Sequence, residues 1–304
     1  MNNNDVINLI KDRLPELEIK TEEFMKNHTY FKIGGPADIM VFPREIKELS
    51  EIIKICSNNN IDYFVLGNGT NLLVRDKGIR GLIIKIDDNL NEIRVEGNKI
   101  IAQAGSKVSK VSKVALKNSL TGLERISGIP GSLGGGVAMN AGAYGTELKD
   151  VVTKVKCINT EGEIKEYTCE EMHFGYRHSR VHEEKLLVAE VQMELEEGDY
   201  DKIKETMDDY TNRRNTKQPI DMPSAGSTFK RPEGDYAGRL IDVSGLRGAR
   251  YKDAQVSEKH CGFIVNRGNA KCEDVITLIG MIQKTVKDKH GVELEREVLI
   301  IGEE

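Results

Sequence analysis

The five cysteines of this chain, Cys56, Cys157, Cys169, Cys261 and Cys272, include no C-x-x-C pair, and their number is odd. That argues against a disulfide framework and against the common zinc spacings, and it implies reduced thiols in a cytoplasmic protein. No apolar run approaches the ~20 residues that a membrane-spanning helix needs. The start, MNNNDVINLIKDRLPEL, lacks a basic segment followed by an apolar one. The expectation is therefore a cytoplasmic chain with no membrane partner. Positive charge is not in surplus either: 44 Lys and Arg stand against 49 Asp and Glu, a net charge of −5. A general nucleic-acid binder is disfavoured on that balance. The stretch 213–271 departs from it, with 12 basic against 6 acidic residues, and suits a small anionic ligand. Internal repeats are absent, and the Asn-rich start is the only low-complexity piece.

What is present is glycine. SGIPGSLGGGVAMNAGAYG, residues 127–145, holds seven glycines. Glycine costs entropy on folding, so such a cluster is kept for unusual dihedrals or for close approach of another group. Flexible linkers are Gly/Ser/polar, whereas this run carries Ile129, Leu133, Val137 and Met139. It reads as an ordered loop that holds a ligand. It is no P-loop, because Val137 and Ala138 stand where Lys and Ser/Thr belong. An earlier loop, GNGTNLLV, has Leu72 in place of the third glycine of a dinucleotide fingerprint.

At 304 residues the chain exceeds one core, and its patterns predict an α+β protein of three domains. An amphipathic helix places Val6, Leu9, Ile10, Leu14 and Leu17 on one face. A strand at 37–43, a helix bearing Ile46, Leu49, Ile52, Ile53 and Cys56, and a strand at 61–67 then make a βαβ unit that opens into the Gly-Asn-Gly loop. These form a first domain, 1–80. A mostly antiparallel group of strands starting with GLIIKI, folded back at Glu-Gly turns, makes a second, 81–200. A third, 201–304, has a polar helix, PSAGSTFKRP, further helices and a closing strand, VELEREVLIIG.

Two separated backbone cradles suit a long ligand with a diphosphate in its middle, such as non-covalent FAD. The candidates in the first are Gly67, Asn68, Gly69, Thr70, Asn71 and Leu72. In the second they are Gly128, Ile129, Pro130, Gly131 and Ser132, followed by Gly134, Gly135, Asn140 and Gly142. Glycines admit the phosphates to the backbone, while Asn68, Thr70, Asn71 and Asn140 offer polar contacts. His178 and His182 stand four apart without a third ligand, so no metal site is expected.

The segments TYFKIGGPAD, LGNGTNLLV, GIPGSLGGGVAMNAGAYG, GYRHS, SAGSTFK, AQVSEKHCGFIVN and LEREV occur in this order. From about residue 21 onward the chain resembles the UDP-N-acetylenolpyruvoylglucosamine reductase (UDP-N-acetylmuramate dehydrogenase) family. The resemblance implies a three-domain flavoprotein with a vanillyl-alcohol-oxidase-type (PCMH-type) FAD-binding fold and a C-terminal substrate domain. It also implies NADPH as reductant and UDP-N-acetylglucosamine enolpyruvate as substrate, in peptidoglycan synthesis, by a monomer. Arg177 matches the family's catalytic arginine, Ser227 its proton donor and Glu297 its C-terminal glutamate. Arg213 and Lys217 match positions turned to substrate, and Gln255, Lys259, His260 and Asn266 are further substrate-pocket candidates.

Strand alternation places Glu293, Glu295 and Glu297 on the face of Leu299 and Ile301, so Glu297 is expected to be partly buried. Only 50 residues separate Arg177 from Ser227, which resembles the shorter of the family's two subtypes, without the substrate-capping insertion. Two readings compete: a related flavin oxidase of a small alcohol or hydroxy acid, and a non-catalytic nucleotide-sugar binder. The first is separated by what reoxidises the flavin, the second by the absence of colour.

Overall fold

The computed structural model describes residues 1–86 and 88–304. Helix α1 (Asn3–Arg13) opens on a reciprocal capping box between Asn2 and Asp5 and buries Val6 and Ile10. The strand Glu18–Phe24 follows. It is polar and mostly exposed, so no apolar period announces it. The strand Pro36–Phe42, helix α2 (Ile46–Asn59) and the strand Tyr63–Leu66 form where the sequence places them. Helix α2 buries Leu49, Ile52, Ile53 and Cys56 and ends at Asn60 in the left-handed region.

The two strands of this βαβ segment are not neighbours. The sheet order is Glu18–Phe24, Pro36–Phe42, Ile79–Lys85, Tyr63–Leu66, with the last two strands parallel. Residues 81–86, which the sequence reading groups with the antiparallel strands, therefore belong to this sheet. Leu82, Ile83 and Ile84 are all buried, the continuous apolar run of an interior strand covered on both faces.

The chain divides into two compact units: residues 1–20, 39–68 and 81–214, and residues 21–38, 69–80 and 215–304. In the first, an antiparallel five-stranded sheet runs in the order Ile164–Thr168, Val152–Ile158, Leu187–Glu194, Lys99–Gln103, Ile93–Glu96. Its hairpins turn at Glu96-Gly97 and Glu161-Gly162, as expected. This unit also holds α3 (Val108–Lys117), α4 (Leu133–Ala138), α5 (Arg180–Glu183) and most of α6 (Tyr200–Lys217). Its core draws on Ile10, Leu49, Ile84, Val111, Val137 and Val191.

The second unit has a four-stranded antiparallel sheet, ordered Ser224–Ser227, Phe263–Asn266, Ala254–Val256, Arg250–Tyr251. It adds α7 (Ala237–Val243) and α8 (Cys272–His290) around Phe31, Leu73, Phe229, Ile241, Ile264 and Val275. Its closing strand is shorter than the sequence suggests, only Leu299–Ile301, parallel to Leu72–Val74. Upstream, Arg296 bridges Phe229 and the Glu297 N–H donates to Thr228 O, before Leu299 N–H donates to Asn71 O. That change of partner breaks the two-residue alternation. Leu299 is 42% exposed, so it does not share a buried face with Glu297. Among the described residues, no helix is long and apolar enough to cross a membrane.

Candidate functional site

In the first unit the two cradles meet. Asn68 Nδ2 donates to Pro130 O at 3.0 Å. A Cβ at Gly67 would lie 2.3 Å from Ser132 Oγ, so a larger residue there would have to turn that hydroxyl away. Lys85, 5% exposed, reaches from the inserted strand and donates to Gly67 O at 2.6 Å. Nothing in the local sequence distinguishes this lysine, because its position depends on which strand lies beside Tyr63–Leu66.

The glycine run is part loop and part helix. It enters as the loop 128–132 and then winds into α4. The N–H groups of Leu133 and Gly134 are taken by Ser106 O and Ala104 O. A Cβ at Gly134 would meet Ala104 Cβ at 2.8 Å, one at Gly136 would meet Leu148 Cδ1 at 2.9 Å, and one at Gly142 would meet Thr146 O at 2.7 Å. These three glycines clear space for the protein's own packing. The part of the run left for a ligand backbone contact is 128–132, with Gly135.

Two observations fit a bound diphosphate cofactor here. Ser106 Oγ, beside the run, is buried with no hydrogen-bond partner among the described residues. Arg214, near the end of α6, packs on the run, its Cδ 3.0 Å from where a Gly128 Cβ would be. Burial pulls this guanidinium below the usual arginine range, with Tyr144 acting the other way, and no carboxylate pairs with it among the described residues. A desolvated cation without a counter-charge is a place for an anion. Its neighbour Arg213 is instead exposed and paired with Asp209 at 2.8 Å, one helical turn back. That i,i+4 pairing was the readable signal that Arg214, not Arg213, is left over.

Arg177 sits on the turn Gly175–His178, closed by Gly175 N–H to His178 O at 3.0 Å. It is half-buried, with its guanidinium carbon 4.9 Å from the Tyr176 ring centroid. Its φ of 54° lies in the left-handed region, where a side-chain-bearing residue is held only if its surroundings enforce it. Asn140, read from sequence as a cofactor contact, is 0% exposed and has its whole amide engaged by protein. His178 and His182 stack at 5.9 Å, and the partner of His178 is Glu183.

In the second unit the remaining candidates converge on backbone. Ser227 ends the strand Ser224–Ser227, after an irregularity in register against Phe263–Asn266. Such a bulge re-aims the side chains that follow it. The next residue, Thr228, accepts from Glu297 N–H at 2.9 Å, which brings Ser227 and Glu297 to adjacent chain segments. Glu297 is half-buried, as expected, and its carbonyl accepts from Asn71 Nδ2 at 3.2 Å. Gly69, at φ 61°, stands against residues 28–29, where a Cβ would meet His28 O at 2.3 Å. Thr70 and Leu72 lie in and just after that loop.

The substrate-pocket candidates spread out. Asn266, 2% exposed, donates to Phe31 O and accepts from Gly268 and Ala270 N–H. Gln255 is buried and donates to Gly248 O at 3.1 Å. Lys259 Nζ donates to Asn215 O at 2.6 Å, while Lys217 is exposed. His260 Nδ1 accepts from Gly262 N–H at 3.1 Å, and burial pulls its imidazole below the ordinary value. Accepting at Nδ1 leaves the proton on Nε2 of a neutral ring. Among the described residues no group of three or more His, Cys, Asp or Glu is arranged to hold a metal.

The FAD binding domain family matches residues 37–168, and the family described as UDP-N-acetylenolpyruvoylglucosamine reductase, C-terminal domain, matches 218–301. The UDP-N-acetylenolpyruvoylglucosamine reductase of Alkaliphilus oremlandii is 51% identical over 96% of this chain and 96% of its own. That of Clostridioides difficile is 47% identical over 100% of both. The crystal structure of the same-named reductase from Thermus caldophilus matches with a TM-score of 0.80 at 33% identity, covering 94% of this chain and 98% of that one.

Proposed function

The chain belongs to the UDP-N-acetylenolpyruvoylglucosamine reductase family, and on that premise we propose that it reduces UDP-N-acetylglucosamine enolpyruvate to UDP-N-acetylmuramate for peptidoglycan synthesis. The observation that carries this reading is the 51% identity spanning 96% of each chain. The cofactor is FAD, reduced by NADPH, and the bound flavin supplies the hydride. Residues 1–200 serve the cofactor and 201–304 the substrate, in a cytoplasmic monomer.

The protein's own residues do the rest. Gly67, Asn68 and the loop 128–132 hold the diphosphate by backbone groups, and Arg214 supplies its counter-charge. A hydride delivered to one alkene carbon leaves negative charge spread onto the neighbouring carboxylate. Arg177 forks onto that carboxylate and steadies the charge. Glu297 positions the enol, and Ser227 Oγ delivers its proton to the other carbon. A serine is a weak acid, so it acts where the enolate is a strong base and where the proton is replaced from solvent. Lys217 and Lys259 face the anionic nucleotide portion of the substrate.

One anaerobic visible spectrum tests the whole. A flavin band that bleaches with NADPH and returns with the enolpyruvyl sugar is the expected result. A band that bleaches and stays bleached, or no band even after incubation with FAD, overturns the reading.

A further inference from the structure

The turn that carries Arg177 is tied to the glycine run by two buried side chains that the proposed mechanism does not use. Asn140 lies just after α4. Its Nδ2 donates to Gly175 O at 3.0 Å and to Glu147 Oε2 at 3.0 Å, and its Oδ1 accepts from Lys149 N–H at 3.1 Å. Ser179, also 0% exposed, donates from Oγ to Ala138 O at 2.8 Å. Ala138 is the last residue of α4, and a helix leaves its final carbonyls without a helical partner. The two bonds therefore grip the chain on either side of Arg177, at Gly175 and at Ser179. Between them Arg177 holds a left-handed φ of 54° that an unrestrained arginine would leave.

We propose that Asn140 and Ser179 are positioning residues for Arg177, fixing the guanidinium at one place relative to the glycine run. The inference rests on the reading of Arg177 as the group that meets the substrate carboxylate. It assigns Asn140 to the turn rather than to the cofactor, since both donors of its amide are already engaged. Asn also suits its own φ of 40°, which a β-branched residue would not tolerate. The amide thus links three segments of one unit: the end of α4, the Glu147–Lys149 stretch and the Arg177 turn. A guanidinium displaced by an ångström loses its aim at a planar carboxylate, and such misplacement costs on the order of 100-fold in rate.

The variant Asn140→Gly keeps the left-handed backbone and removes the amide. In the flavin-loaded protein it is expected to retain FAD and to be reduced by NADPH at the wild-type rate, while reoxidation by the enolpyruvyl sugar slows by on the order of 100-fold. Ser179→Ala, a smaller change should Asn140→Gly fail to fold, slows the same half-reaction less. In an Arg177→Ala background Asn140→Gly is expected to add nothing further, because a positioning residue acts through the group it positions. Hydrogen exchange of the flavin-free protein gives a readout without turnover: the amides of Gly175 and His178 lose protection in Asn140→Gly. An unchanged reoxidation rate, an equal loss in both half-reactions, or a full further loss in the Arg177→Ala background overturns the inference. A wild-type protein that is not reoxidised by the sugar overturns the functional reading itself, and the wild-type control separates the two failures.

Discussion

Arg177 and Ser227 are held in place by different means. The arginine is on a four-residue turn whose position is set by side chains, Asn140 and Ser179, and whose backbone is strained. The serine ends a strand whose place is set by backbone pairing to Phe263–Asn266, with Glu297 N–H bonded to the adjoining Thr228 carbonyl. A ladder of main-chain bonds tolerates side-chain replacement, whereas a turn clamped by two side chains does not. Substitutions near Ser227 should therefore report that residue's own chemistry. Substitutions near Arg177 should report alignment as well.

The largest test of this contrast is Ser227→Ala. It should leave reduction by NADPH and thermal stability near wild type and slow sugar-dependent reoxidation by roughly 100- to 10,000-fold, the usual weight of a general acid. Loss of both half-reactions with FAD still bound would remove the role given to Ser227. Arg177→Lys keeps the charge but loses the planar fork, and should slow the same step by about 100- to 1,000-fold. Titrating the enolpyruvyl sugar would check that the loss lies in the maximal reoxidation rate.

Gly69→Ala probes a position that backbone geometry alone defends. The added Cβ would press on His28 O at φ 61°, so the variant should lose about 1–3 kcal/mol of stability, read as a lower urea midpoint with the m-value unchanged. The smallest effect is on pH. Burial lowers the imidazoles of His182 in the first unit and His260 in the second, with the His178 charge helping at His182 and Arg247 at His260. A histidine whose folded value lies below its unfolded one contributes stability in full above about pH 6.5 and loses it as pH falls toward the folded value. Melting temperature should fall slightly between pH 7 and 5, and His260→Gln should flatten that slope.

Much of the candidate site could be nominated from sequence because its signals are local. A helix spaced like 46–59 buries one face wherever it packs. The glycine loops could be recognised as close-approach segments from composition, and the order of motifs carried Arg177, Ser227 and Glu297. The run's glycines were less legible individually: Gly134, Gly136 and Gly142 make room for Ala104, Leu148 and Thr146, contacts that only the packed chain reveals. Asn140 looked like a ligand contact because an amide beside glycines usually is one; its partners lie up to 35 residues away in sequence.

The amino-acid sequence by itself determined helices such as α1, α2 and α6, the cradles' composition and the family, since propensity, periodicity and motif order depend on neighbours along the chain. Tertiary structure alone decided that Ile79–Lys85 lies beside Tyr63–Leu66 and that Lys85 supports Gly67. It also decided that the last segment changes partner between Thr228 and Asn71. Each of these is a matter of which groups are left unsatisfied once distant segments have packed, and burial of that kind is not written in any one segment.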